Sequence, residues 1–456
     1  MKRIMIAGTH SGCGKTTITC AILAALKARK LNVAAFKCGP DYIDPMFHQK
    51  VIGVDSHNLD SFFCDDETLK YLMHENSINA DISVVEGVMG FYDGVNGRGS
   101  AHSVSMITET PAVVAIDCKG ASESIGAVMK GFLSYKQPNM IKGFIFNRLP
   151  ERLVPRIKEM CRELGTTFFG YMPTNSFTFE SRNLGLVTAD EIGDLKDKLA
   201  ELSTLAEEHI FLDELIEVSE ASFPIFREPK LHIVEYNNRP IIAVAKDAAF
   251  CFVYSDNIAL LEKLGCRIEY FSPLKDKKLP DDCCGLILSG GYPELYAEKL
   301  SQNNEMLQAV RSAINSGIPT IAECGGFMYL HENIILADDE IFGFVGAVKG
   351  DVYSTKKLQR FGYVTLEAKK DCLVCVESDK IAAHEFHYWD STNCGSDFIA
   401  RKSDGRNWEC VHANKSTYAG FPHLYFYADV RIAERFVAAC AEYGEKHGQN
   451  KQDRSH

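Results

Sequence analysis

The sequence predicts an α/β fold built as two doubly wound domains. Three observations predict it. Short β-branched runs alternate with helical patterns through the first half of the 456 residues. An acidic, structure-poor stretch from Leu212 to Pro229 then interrupts the alternation, ahead of the Arg239-Pro240 break. The alternation restarts at Ile241. Strand–helix alternation implies a parallel sheet with right-handed crossovers. The boundary is expected near residue 235, giving domains 1–235 and 236–445, with the polar residues 446–456 as a disordered tail.

In the first domain, Ile4 to Ala7, Asn32 to Phe36, Ile82 to Val85, Ala112 to Ile116 and Ile141 to Phe146 are expected as buried strands, and Thr16 to Lys30 as a helix with an apolar stripe. In the second, Ile241 to Ala245, Arg267 to Phe271, Gly285 to Leu288 and Pro319 to Ala322 are expected strands. Asn257 to Leu264 is an expected helix that stops at Gly265. Beyond about Phe342 the pattern turns antiparallel. No internal repeat or low-complexity segment is present.

Composition narrows the function. Hydrophobic residues make up 46% and charged residues 24%, as in globular proteins, which argues against a disordered chain. The balance of 61 acidic and 49 basic residues gives −12, which weighs against a sequence-independent nucleic-acid binder. Anions can then bind only where local potential is strongly positive. No run approaches the ~18 apolar residues of a membrane span, and the apolar run after Met1-Lys2-Arg3 is too short for a signal peptide. A reducing cytoplasm is therefore expected, with most of the 16 cysteines acting as small buried hydrophobes.

Gly8-Thr9-His10-Ser11-Gly12-Cys13-Gly14-Lys15-Thr16-Thr17 lies between the first strand and the first helix. Glycines such as Gly12 and Gly14 let backbone N–H groups close around a phosphate, and the helix start adds positive potential. Lys15 can reach the β- and γ-phosphates of ATP, and Thr16 can ligate Mg²⁺. The strict pattern places its first glycine where Thr9 stands, so this is a variant loop. The alternative is a glycine-rich turn that binds nothing. Val84-Val85-Glu86-Gly87 is a strand ending in a carboxylate, placing Glu86 for metal binding or water positioning. Asn147-Arg148, after another strand, can read the adenine edge or form an exposed turn.

Phe36-Lys37-Cys38-Gly39-Pro40-Asp41-Tyr42-Ile43-Asp44-Pro45 is a rigid loop with two aspartates. Met89-Gly90-Phe91-Tyr92-Asp93-Gly94 follows Glu86. Such carboxylates can hold Mg²⁺, polarise a substrate or assist proton transfer, or simply punctuate turns.

In the second domain, Pro319 to Met328 reads as strand, tight turn and helix, with Cys324 at the turn before Gly325-Gly326. An elbow of this kind exposes a nucleophile, and the helix start adds positive potential at the sulfur. Gly325 is placed for an oxyanion hole, and Ser289-Gly290-Gly291 can supply a second N–H, at Gly291. The base can be His384, His387 or His423; spacing alone does not choose. Cys372-Leu373-Val374-Cys375 reads as strand-borne and structural, since no other CxxC completes a zinc site.

Together these motifs resemble the cobyrinic acid a,c-diamide synthase family of cobalamin biosynthesis. The matching stretches are Gly8 to Thr17, Phe36 to Pro45, Val85 to Gly94, Ala243 to Phe252, Ser289 to Glu294, Ala322 to Leu330 and His384 to His387, in the family's order. Lys-x-Gly-Pro-Asp-Tyr-Ile-Asp-Pro is the most specific of them. Ser181 to Leu186 matches more weakly. The resemblance implies a dethiobiotin-synthetase-like ATP domain followed by a class I glutamine amidotransferase domain. It implies Cys324 as the glutaminase nucleophile and His423 as its activating histidine. It puts Asp41, Asp44, Glu86 and Asp93 at the synthetase site, with Asp41 and Glu86 expected toward Mg²⁺ and Asp44 and Asp93 toward the chemistry; the residue pattern itself expects Gly12, Gly14, Lys15, Thr16, Thr17 and Asn147 around ATP. Two departures stand out. Tyr425 replaces the second histidine of the family's His-Leu-His, leaving a Cys–His pair without a third member. Ser181-Arg182-Asn183 replaces Glu-Arg-His.

The resemblance implies ATP-dependent amidation of the a and c acetates of cobyrinic acid, through acyl phosphates, with ammonia from glutamine. It leaves the oligomer open, a homodimer included. Nickel-sirohydrochlorin and hydrogenobyrinic acid are rival substrates, and a regulatory P-loop ATPase is a rival of another class.

Overall fold

The computed structural model describes residues 1–174, 189–234, 239–355 and 357–452. The expected Ser181-Arg182-Asn183 motif lies outside them. Two compact units are formed by Met1–Pro229 and Lys230–His456.

The first unit is built on seven strands: β1 (Arg3–Gly8), β2 (Val33–Cys38), β3 (Ser56–Leu59), β4 (Ile82–Glu86), β5 (Ala112–Asp117), β6 (Ile141–Asn147) and β7 (Thr167–Tyr171). Their order is β3-β2-β4-β1-β5-β6-β7, and every adjacent pair is parallel. Strands β1, β2 and β4 are buried along their whole length, as expected when helices cover both faces of a parallel sheet. This explains why continuous apolar runs mark them in the sequence. Strands β3 and β7 were not foreseen. β3 reads Ser-His-Asn-Leu, a short polar edge strand with no apolar run. Helix α1 (Lys15–Ala28) buries Ile18, Ile22 and Leu26 in a core shared with Leu199, Leu202 and Ala206 of helix Ala189–His209.

The stretch from Leu212 to Pro229 is more ordered than its composition indicates. It opens with a helix, Leu212–Val218. The carbonyls of Ala221 and Ser222 then accept from the guanidinium of Arg3, whose other donors reach Thr108 and Glu109. Arg3 is fully buried, so these carbonyls supply the partners that a charge away from water requires.

The second unit holds a six-stranded sheet containing β8 (Ile241–Ala245), β10 (Arg267–Phe271), β11 (Gly285–Leu288) and β13 (Thr320–Glu323). Its order is β10-β8-β11-β13, then Thr417–Gly420 and His412–Ala413. All pairs are parallel except the last. Two short strands, β9 (Phe250–Phe252) and β12 (Gly290–Gly291), pair antiparallel beside it. The antiparallel tendency beyond Phe342 appears as a separate five-stranded sheet. Its order is Asn407–Cys410, Phe398–Arg401, Arg360–Ala368, Lys380–His387, His423–Leu424. The last helix, Arg431–Gln452, carries helical backbone past Lys446, where the tail was expected to begin. No helix among the described residues is long and apolar enough to cross a membrane.

Candidate active sites

In a doubly wound sheet, ligands bind at the carboxyl ends of the strands. The first site lies there, after β1, β2 and β4. Gly8 ends β1, and a Cβ at that position would lie 2.3 Å from Cys13 Sγ and 2.7 Å from Lys15 Cγ. The glycine that the strict motif places at Thr9 is thus required one residue earlier, where loop and strand touch. Gly14 caps α1 in the left-handed region with φ 99°, and a Cβ there would lie 2.0 Å from Asn147 Nδ2. Asn147, expected at an adenine edge, is buried, and its Nδ2 donates to Cys13 O at 3.0 Å. Its side chain braces the loop. Arg148 pairs with Asp117.

Lys15 is buried on α1 and its Nζ donates to His10 O at 3.0 Å. Burial lowers its pKa, so the ammonium lacks a carboxylate close enough to offset desolvation. An anion in the loop would supply that missing charge. Thr16 Oγ1 donates to Glu86 Oε1 at 2.8 Å, tying the helix start to the end of β4.

Behind this contact lies a buried charge cluster. Register places Lys37 of β2 opposite Glu86 of β4, and Lys37 Nζ stands 2.8 Å from Glu86 Oε1. The same ammonium pairs with Asp44 on the short helix Ile43–Phe47. His48 Nε2 approaches Glu86 Oε2 at 3.6 Å, and His48 Nδ1 bonds Ser56 Oγ at 3.0 Å. Burial pulls the Glu86 pKa upward, but Lys37 and His48 outweigh it and hold the carboxylate ionised. Asp44 moves the other way, raised by burial and by the Glu86 charge. Lys37 stands in the most specific stretch of the sequence, whereas His48 carries no local signal.

Asp41 and Asp93 lie outside this buried cluster. Asp41 Oδ1 accepts from Ile43 N at 2.9 Å in a local turn. Asp93 is exposed, and its Oδ2 accepts from Gly90 N at 2.9 Å. Thr17 is buried on α1.

The second site is built on β13. Cys324 follows this strand with φ 48° and ψ −107°, a strained conformation for a residue with a side chain. Its N–H donates to Gly420 O at 2.9 Å, so the neighbouring strand holds the elbow. The helix that follows is one short turn, Gly325–Tyr329. A Cβ on Gly325 would lie 3.0 Å from Gly291 N, so the two expected oxyanion donors are neighbours. A Cβ on Gly290 would lie 2.7 Å from His423 Cε1, so the same loop also borders the histidine.

His423 is buried and hydrogen-bonded to the Cys324 sulfur. Its Nδ1 stands 3.4 Å from Glu323 Oε2, and Glu323 Oε1 accepts from Leu424 N at 3.1 Å. Burial alone would depress the imidazolium, but the bonds to Cys324 and Glu323 raise its pKa to about 10. Glu323 thus stands where a third member was missing. Register pairs His384 with His423, and the two rings stack at 5.0 Å. His387 stacks on Phe421 at 4.0 Å, with Nδ1 against Trp389 O. Of the three candidate histidines, the one on the sulfur is His423. Tyr425 donates to Asp256 Oδ2 at 2.9 Å instead of facing His423. Asn257 brackets the segment, donating to Leu424 O at 2.9 Å and accepting from Phe426 N at 2.8 Å.

Cys372 and Cys375 do not lie on a strand. They sit in the loop between strands Arg360–Ala368 and Lys380–His387. Among the described residues, no group of three or more His, Cys, Asp or Glu side chains is arranged to hold a metal ion.

A P-loop on a parallel sheet, joined in one chain to a thiol–imidazole elbow, defines a nucleotide-binding glutamine amidotransferase. The sequence matches a CobQ/CobB/MinD/ParA nucleotide binding domain over residues 4–186 and a CobB/CobQ-like glutamine amidotransferase domain over residues 241–430. The chain belongs to the cobyrinate a,c-diamide synthase family. It is 37% identical over 450 residues to the cobyrinate a,c-diamide synthase of Caldanaerobacter subterraneus subsp. tengcongensis, covering 97% of this chain and 99% of that one. Identity to the synthase of Fusobacterium nucleatum is 38% over 455 residues, covering 95% and 99%. For the synthase of Priestia megaterium it is 36% over 456 residues, covering 96% and 97%.

Proposed function

We propose that this chain amidates the a and c acetate carboxylates of cobyrinic acid, with glutamine as nitrogen donor and ATP as activator. The observation that carries the reading is the coexistence in one chain of a Cys324–His423–Glu323 elbow and a Lys15–Thr16–Glu86 phosphate site.

In the glutaminase half, Cys324 attacks the side-chain amide of glutamine. The imidazolium of His423 gives its proton to the departing ammonia, and Glu323 holds that ring in place. The N–H groups of Gly325 and Gly291 face the oxygen on which negative charge develops. Water then hydrolyses the thioester, releasing glutamate.

In the synthetase half, the substrate carboxylate attacks the γ-phosphorus of ATP, forming an acyl phosphate and releasing ADP. Ammonia adds to the acyl carbon and phosphate leaves, giving an amide. A carboxylate is a poor electrophile at neutral pH, and phosphorylation supplies the leaving group. Lys15 neutralises the transferring phosphoryl oxygens. Lys37 holds Asp44 and Glu86 in one arrangement beside them. The oxygens of Thr16 and Glu86 suit a hard divalent cation, and Asp44 Oδ1 is buried without a hydrogen-bond partner. Mg²⁺ held by Thr16 and Glu86, with Asp41 as a further carboxylate ligand, would neutralise phosphate charge. Asp93, on the exposed loop after β4, would meet the substrate.

The test is to incubate the enzyme with ATP and glutamine and with cobyrinic acid, nickel-sirohydrochlorin or hydrogenobyrinic acid, and to weigh the products. Each amidation replaces a hydroxyl by an amino group and lowers the mass by about one unit, whatever the route. Two successive losses on cobyrinic acid are expected. Turnover of nickel-sirohydrochlorin or hydrogenobyrinic acid alone would reassign the substrate, and ATP hydrolysis without amidation would reject the ligase reading.

A further inference from the structure

Burial dominates the cysteine chemistry of this chain. It pushes the thiols of Cys20, Cys38, Cys118, Cys161, Cys266 and Cys440 upward and leaves them inert. The loop between Arg360–Ala368 and Lys380–His387 differs. Cys372 Sγ lies 3.4 Å from Cys375 Sγ, and Cys372 N donates to Cys375 O at 2.9 Å. The turn therefore already holds the two sulfurs face to face. They need approach by only about 1.4 Å to reach the ~2.05 Å of a disulfide. The two thiols are not equivalent: Cys372 is partly exposed and Cys375 is buried.

The surroundings favour a thiolate at Cys372. Arg435 Nη1 reaches Val374 O, inside the loop, at 3.4 Å and is anchored on Asp379 at 3.0 Å. The hydrogen bond from Cys375 is the largest influence on Cys372 and lowers its pKa, against the opposing effect of burial; the Arg435 charge adds to the lowering. Cys375 is pushed the other way. An accessible thiol biased toward thiolate, with a buried partner in contact, is the arrangement of an attacking and a resolving cysteine.

We propose that Cys372 and Cys375 form a site of reversible thiol–disulfide exchange, separate from the catalytic Cys324, whose reaction partner is a small-molecule disulfide. The Cys372 thiolate attacks one sulfur of the disulfide RSSR. The S–S bond breaks, and RS⁻ leaves and takes a proton. Cys375 then loses its proton and attacks Cys372 Sγ. The mixed disulfide breaks and the second RS⁻ leaves and is protonated. Two cysteines lose two electrons and two protons, and RSSR becomes two RSH.

The loop is also joined to the strand beside the elbow by backbone hydrogen bonds. Leu373 N donates to Asn414 O, and Asn414 N donates to Thr417 O. Thr417 begins the strand that pairs with β13 and whose Gly420 O holds the Cys324 N–H.

The experiment uses the full chain in native buffer with glutathione disulfide as the probe, followed by acid quench, alkylation, trypsin and mass spectrometry. Lys370 and Lys380 flank the pair, so one tryptic peptide, Asp371 to Lys380, carries both thiols. After glutathione disulfide this peptide is expected to be about two mass units lighter than its reduced form and unalkylated, and dithiothreitol should restore two alkylated thiols. Cys375→Ser is expected to stop at one glutathione on Cys372. Cys372→Ser is expected to leave Cys375 alkylated only after unfolding. A peptide that keeps both thiols free through saturating glutathione disulfide would overturn the proposal. So would stable glutathione on both cysteines, or capture at Cys375 in the Cys372→Ser chain.

Discussion

Glu323 Oε2 stands 3.4 Å from His423 Nδ1, although Glu323 is the chain neighbour of the nucleophile itself. The strained backbone at Cys324 makes this possible. Successive residues of a regular strand point to opposite faces, but φ 48° at Cys324 breaks that alternation. One strand end thereby serves His423 from two sides, with sulfur and carboxylate. Glu323→Gln keeps the shape and removes the charge that helps hold the imidazolium. Glutamine hydrolysis is expected to fall by roughly 10²-fold or more, in kcat rather than KM, because the histidine loses its oriented charged form. The alkaline limb of the glutaminase pH profile should also move down, since the His423 pKa of about 10 rests partly on Glu323. An unchanged pH profile would assign Glu323 a purely structural role.

Cys324→Ala separates the two halves of the reaction. Glutamine-dependent amidation should be abolished, while amidation with added ammonium salt should persist at a comparable rate. Mass spectrometry of the tetrapyrrole product under both nitrogen sources checks this. Loss of both activities in a folded variant would reject the two-site mechanism.

How far the sequence discloses these sites depends on whether the signal is local. The P-loop and the elbow are legible because glycines, the nucleophile and the flanking strand and helix fall within a dozen residues. Strands β1, β4 and β5 are legible because a sheet covered on both faces demands unbroken apolar runs. Ser56–Leu59 is not, because an edge strand of polar residues carries no such run. The pairings Lys37–Glu86, Glu86–His48 and Glu323–His423 depend on sheet register and on the elbow, which no spacing rule encodes. Cys372 and Cys375 read as strand residues in the sequence, since Leu-Val between them is β-prone, yet tertiary context puts them in a turn.

Lys37 is in direct contact with both Asp44 and Glu86. Lys37→Met would leave two buried carboxylates facing each other. Removing one partner of a buried pair costs about 3–5 kcal/mol, so a comparable loss in chemical denaturation is expected. The effect should be confined to the first unit, with glutaminase activity retained where that unit alone is disturbed. A variant as stable as the parent would show that the cluster is hydrated and screened.

Asn147→Ala tests the brace under the phosphate loop. Losing the bond to Cys13 O leaves the loop backbone without its buried side-chain donor. The expected result is a rise in the KM for ATP of roughly tenfold, the equivalent of one net hydrogen bond of about 1.4 kcal/mol, with ammonia release from glutamine unaffected. A fall in kcat at constant KM would instead place Asn147 at the transferring phosphoryl group.

Glu385 supplies a pH test of stability. Its carboxylate is fully buried. Burial raises its pKa from 4.5 to about 7, against the smaller opposing pulls of the Arg360 charge and a hydrogen bond from Trp408. The folded state therefore holds this proton more tightly than the unfolded state. By linkage, the stability it contributes is full below the unfolded value and is lost as pH rises through the folded one, a window from 4.5 to about 7. Glu385→Gln cannot ionise, so the variant should gain on the parent across that window. The difference should be small near pH ~4 and reach at most about 3 kcal/mol by pH ~8. Urea titrations of both proteins at several pH values measure it. A difference independent of pH would mean that the carboxylate is already neutralised by a charge partner, with Arg360 the first to test.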